Sequence, residues 1–159
     1  IHSSVGPDDE ENKLDPCQKY KRKLTRERFL ASVTQDDVVI YDGHSRDGGG
    51  PDFEPPLMRG DGHVDYARYQ RHRTQIADFL KAFNTKERKG VSLALLSCFS
   101  QQHFQSRLKR ACPECEIKTV ARLIYYAEAL DQMTEIVKRV LQGYRPMPDD
   151  ALPRSAELD

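Results

Sequence analysis

Two short apolar runs govern what this chain can fold into: VVIY at residues 38–41 and VSLALLS at 91–97. Each is β-branched or aliphatic and too short for a buried helix, so each reads as a buried strand. Between them, from Asp65 to Phe83, Tyr69, Ile76, Phe79, Leu80 and Phe83 recur on one face of a helix. Alternation of strand, helix and strand implies a crossover between parallel strands. The pattern continues with a helix over 101–111, capped by Ser100, with Phe104 and Leu108 facing inward. A third strand follows near 116–122. The last helix, over 126–142, carries Leu130, Met133, Val137, Val140 and Leu141 on one stripe, expected to face the core. The fold class is therefore α/β, a parallel sheet with helices on both faces. Three strands leave two edges, which further strands or a partner would have to cover.

The flanks are polar. Residues 1–16 read as an acidic arm, 17–144 as the domain, and 145–159 as a loose tail. A short helix is expected over 24–32 with Thr25 as N-cap, and a charged turn over 86–90. Residues 45–63 read as a long loop, with Gly48, Gly49 and Gly50 as a flexible flap over a site. A length of 159 residues suggests one domain. Lys plus Arg and Asp plus Glu both number 25, which gives no general electrostatic reason to bind nucleic acid. No window reaches the roughly 18 apolar residues of a membrane span. The first residue is Ile, as in a processed form or fragment, so the compartment stays open: cytoplasmic, or exported after signal removal.

In open parallel sheets, ligands bind beyond the carboxyl ends of the strands. His44 stands at that end of the first strand and Cys98 at that end of the second. If the strands are neighbours, an imidazole and a thiol share one rim. A thiolate is the competent nucleophile; a histidine partner and a following helix N-terminus both favour it. Backbone N–H groups at the strand–helix bend would face a developing oxyanion.

VVIYDGH followed by LALLSC resembles the caspase-like cysteine peptidases: caspases, legumains, gingipains, separases and CHAT-domain peptidases. The resemblance covers roughly residues 37–122. It implies a catalytic His44–Cys98 dyad, an oxyanion site from the backbone of Ser45 and Cys98, no cofactor, and a protein or peptide substrate. Asp42 stands where it would orient His44 or contact substrate, and Tyr125 and Tyr126 are expected to pack beneath or beside the third strand; in the clan the segment after that strand shapes the substrate pocket, which makes the tyrosines candidates for specificity. Two positions depart from the pattern: Ser45 follows His44 where the clan carries Gly, and Ser100 stands two residues after Cys98 where caspases carry Gly. The alternative is an inactive caspase-like domain that binds a partner protein, with self-association through a sheet edge.

Other features carry blander readings. Cys112-x-x-Cys115 has no second ligand pair and follows a helix, so it reads as a turn with incidental thiols or a local disulfide. DGH occurs at 42–44 and 61–63 with Asp47, Asp52 and Asp65 nearby, yet no spacing matches a metal site. The glycine run lacks the Lys-Ser/Thr ending of a phosphate loop. YQRHR and RLKR read as solvated helix faces.

Overall fold

A computed structural model describes residues 16–71, 74–84, 91–143 and 146. The expected arm and tail fall almost wholly outside the described residues, as do the turn at 86–90 and positions 72–73 of the expected long helix. The elements are α1 (Gln18–Gln35), β1 (Val38–Asp42), α2 (Tyr66–Arg71), α3 (Thr74–Phe83), β2 (Ser92–Leu96), α4 (Ser106–Ala111), β3 (Glu116–Thr119) and α5 (Tyr126–Leu141). The strands form one parallel sheet in the order β1-β2-β3. Among the described residues, β1 and β3 each keep one unpaired edge.

Strand β2 is buried at all five positions because helices cover both faces. Its Leu93 and Leu95 join Val39 and Tyr41 of β1, Phe29 and Val33 of α1, Ile76, Phe79 and Phe83 of α3, and Leu108 of α4 in the larger core. Its Ala94 and Leu96 face the other way, toward Ala129, Met133 and Ile136 of α5. Three layers result, as the alternating apolar runs imply. Rings of Phe29, Tyr41, Phe53 and Phe79 pack at 5.3–5.6 Å between centroids, which fills the thicker side.

Helix α1 is longer than the expected 24–32. Its first half is Lys- and Arg-rich and carries no Gly or Pro, so propensity extends it where apolar periodicity is silent. Thr25 is not its cap; the hydroxyl donates back to the Lys21 carbonyl at 2.8 Å within the helix. The helical segment after β2 opens as a π turn over Gln101–Gln105 before α4. Ser100 does not cap it. The third strand ends at Thr119, short of the expected 122. Cys112 and Cys115 are joined by a disulfide at the entry to β3, which resolves the two readings of that turn.

Helix α5 departs most from expectation. Its stripe was expected to face the core, yet Leu130, Val137, Val140 and Leu141 are 38, 42, 40 and 81% exposed. The sheet is three strands wide and covers only the neighbouring row, Ala129, Met133 and Ile136. Tyr125 and Tyr126 likewise do not pack beside β3; they are 77 and 76% exposed.

Candidate functional site

The register of the sheet builds the site. Asp42 of β1 pairs with Leu96 of β2, so His44 and Cys98 each lie two positions past the last paired residues of neighbouring parallel strands. The two chain ends are joined directly: Ser45 Oγ donates to the Cys98 carbonyl at 2.6 Å. His44 is exposed and Cys98 is half-buried. The Cys98 thiol donates to the Ile124 carbonyl at 3.7 Å, and Ile124 packs on the α5 side of the sheet. Asp42 lies beside His44 at the solvent-facing rim. Desolvation there raises the Asp42 pKa, and the neighbouring His44 offsets part of that rise. Neither the Ser45 N–H nor the Cys98 N–H donates to a backbone carbonyl among the described residues.

The chain leaving β1 closes into a compact loop. His44 forms an antiparallel bridge with Asp52, and Gly48 and Gly50 both donate to the Ser45 carbonyl at 3.0 Å. A Cβ on Gly50 would stand 2.7 Å from the His44 carbonyl oxygen, so only glycine fits there. The loop is held from inside by an ion pair, Arg46 Nε to Asp52 Oδ2 at 2.8 Å, with both side chains buried. Gln75 Nε2 donates to Asp52 Oδ1 at 2.7 Å and Tyr69 Oη to Asp52 Oδ2 at 3.2 Å. Tyr41 Oη accepts from the Asp52 N–H at 2.8 Å and lies 3.0 Å from the carbonyls of both His44 and Asp52. Burial pushes the Tyr41 hydroxyl far above the usual phenol range, so it stays a neutral donor. Gly48, Gly49 and Gly50 are buried, and the expected flexible flap is instead a packed wall.

The chain leaving β2 is short. Phe99 adopts φ +52°, a left-handed conformation that costs a non-glycine residue about 1–3 kcal/mol. Its N–H donates to the Arg122 carbonyl at 2.9 Å. Ser100 Oγ, fully buried, donates to the Leu95 carbonyl at 2.7 Å and accepts from the Val120 N–H at 2.8 Å. The hydroxyl thus stitches the bend to β2 and to the end of β3. Beyond β3, Arg122 holds Glu128 through two bonds of 2.9 and 2.5 Å, fixing the segment that lies against the thiol. Phe99, next to Cys98, and Leu123 and Tyr125, on either side of Ile124, are 37, 54 and 77% exposed.

One further contact links the two exits: Asp47 Oδ1 stands 3.7 Å from His103 Nε2. Asp47 also accepts from the Gln70 amide. The carboxylates of the loop are thus directed to different partners, with Asp52 on Arg46, Asp47 on Gln70 and His103, and Asp65 accepting the Arg68 N–H at 2.9 Å. Among the described residues, no three of His, Cys, Asp and Glu converge on a common point. The sequence points to His44, Ser45, Cys98, Asp42 and Tyr125, but it misses the anchoring roles of Tyr41, Arg46, Asp52, Tyr69, Gln75 and Ser100. The signal for Arg46 and Asp52 was present: opposite charges flanking a Gly-Gly-Gly-Pro run that offers no apolar anchor of its own.

No family model, curated protein or solved structure matches the chain. Among the described residues, no helix is long and apolar enough to cross a membrane.

Proposed function

We propose that the domain is a cysteine peptidase of the caspase-like kind, with His44 and Cys98 as its dyad. The observation that carries this reading is the parallel register that brings the two chain ends to one rim, tied by the Ser45–Cys98 bond. In this mechanism the Cys98 thiolate attacks the scissile carbonyl carbon, and the C–N bond then breaks as His44 protonates the leaving amine. His44 next takes a proton from water as the water oxygen attacks the acyl-enzyme; the C–S bond breaks, releasing the acid product and restoring the Cys98 thiolate beside protonated His44. The N–H groups of Ser45 and Cys98, which donate to no backbone carbonyl among the described residues, suit the developing oxyanion. Ser45 replaces the clan's glycine at a position where its backbone serves and its side chain fastens the strand exits. Asp42 and Tyr125 flank the dyad on the substrate side, and no cofactor takes part.

Peptide-library cleavage by the chain tests the reading. Cys98→Ala and His44→Ala should each lower turnover by at least ~10³-fold with unchanged far-UV circular dichroism. Cleavage that survives either change defeats the proposal. Alkylation across pH supplies a second readout. Cys98 should react faster near neutral pH than Cys17, the other cysteine outside the disulfide. A Cys98 that reacts more slowly than Cys17, in a chain that cleaves nothing, supports the partner-binding reading instead.

A further inference from the structure

Helix α5 carries more apolar surface than the sheet covers. Beside the buried row of Ala129, Met133 and Ile136 runs a second row: Tyr126, Leu130, Val137 and Leu141, 76, 38, 42 and 81% exposed. At 3.6 residues per turn the second row is centred roughly a quarter turn from the first. Ala127 and Thr134 continue it with small side chains that permit close approach. Thr134 Oγ1 already donates to the Leu130 carbonyl at 2.8 Å, so covering it strands no donor.

The charges along this row are arranged about its midpoint. Asp131 and Lys138, both exposed, lie just beyond the row and about 10 Å apart along the axis, with Thr134 between them. Asp131 precedes Thr134 and Lys138 follows it, whereas Glu128, Glu135 and Arg139 lie on the far side of the helix from the row. Turned end for end, Asp131 and Lys138 complement each other.

We propose that this row is the contact surface of a homodimer, in which α5 packs antiparallel on α5 of a second copy about a two-fold axis near Thr134. Leu130 of each copy meets Val137 of the other, and Asp131 of each reaches Lys138 of the other. The charge pattern selects this occupant. A parallel pairing would set Asp131 against Asp131 and Lys138 against Lys138, whereas a two-fold antiparallel pairing makes every such contact attractive. An unrelated partner would not require a surface that mirrors its own charges. The proposal is independent of the peptidase chemistry.

Sedimentation velocity on the full chain, over roughly 1–200 µM, tests it at concentrations where a small apolar patch associates. The expected result is a reversible monomer–dimer equilibrium. Leu130→Glu should give monomer throughout, with circular dichroism unchanged. Asp131→Lys alone should weaken the dimer at least roughly tenfold by setting like charges together. Adding Lys138→Asp to it should restore affinity to within about threefold of the parent. A parent chain that stays monomeric overturns the proposal. So does a dimer that ignores Leu130→Glu, or one that the double reversal fails to restore.

Discussion

Leaving β1, the chain closes a loop around a buried Arg46–Asp52 pair; leaving β2, it turns through the strained Phe99 and is fastened by the hydroxyls of Ser100 and Ser45. Both exits carry a candidate site residue, His44 or Cys98, to the same rim. The first relies on side chains drawn from β1, α2 and α3: Tyr69 and Gln75 donate to the Asp52 carboxylate, and Tyr41 holds the backbone of Asp52 and His44. The second relies on backbone bonds to the neighbouring strand and on Ser100, whose hydroxyl reaches both the Leu95 carbonyl and the Val120 N–H. A charge-centred anchor concentrates its stability in few atoms, so single substitutions there should cost more.

Asp52→Ala is the largest expected structural effect, because it leaves the Arg46 guanidinium buried without its carboxylate. Chemical denaturation should show a loss of about 3–5 kcal/mol. The apolar double variant Arg46→Met with Asp52→Leu should recover most of that loss, since removing both charges also removes their desolvation cost. Recovery would show that the pair specifies loop shape more than it stabilises the fold; no recovery would place the stability in the surrounding hydrogen bonds.

At the second exit, Ser100→Ala should cost about 1–3 kcal/mol, because the Val120 N–H loses its acceptor inside the protein. Ser97→Ala, three positions earlier, should do the reverse. Ser97 Oγ is fully buried and has no hydrogen-bond partner among the described residues, so its removal should raise stability by about 1 kcal/mol. If both serines respond alike to alanine in denaturant titration, hydroxyl satisfaction does not govern this bend.

The smallest effect belongs to Asp42. Desolvation raises its carboxyl pKa in the fold, so the folded state disfavours the ionised form. The resulting stability deficit is absent below the unfolded-state pKa and develops as pH rises through that value to the folded one. Asp42→Asn should therefore stabilise the chain at pH 7 and leave it unchanged near pH 3. Melting temperatures across that range check the sign, and a gain confined to acid would contradict it.

The strands and their exits were legible because buried strands advertise themselves as unbroken apolar runs, and because parallel topology dictates which ends coincide. The anchoring network was not, since Asp52 gathers Arg46, Tyr69 and Gln75 from as far as 23 positions away. No local pattern encodes that convergence. Periodicity failed differently on α5. It grouped Leu130, Met133 and Val137 correctly on one side, but a repeat in sequence says which residues share a face and not how wide the opposing layer is. Thr25 and Ser100 carry the residue types of caps, yet a hydroxyl takes whichever carbonyl is nearer, and the final packing decides that.

The side-by-side pairing of β1 with β2 also has a kinetic cost during synthesis. Val38 cannot find its partner Ser92 until the whole crossover has left the ribosome. At about 5–20 residues per second, the first strand waits roughly 3–10 s with its edge bare. Nascent chains stalled before residue 92 should therefore engage holdase chaperones, and release should coincide with emergence of the central strand.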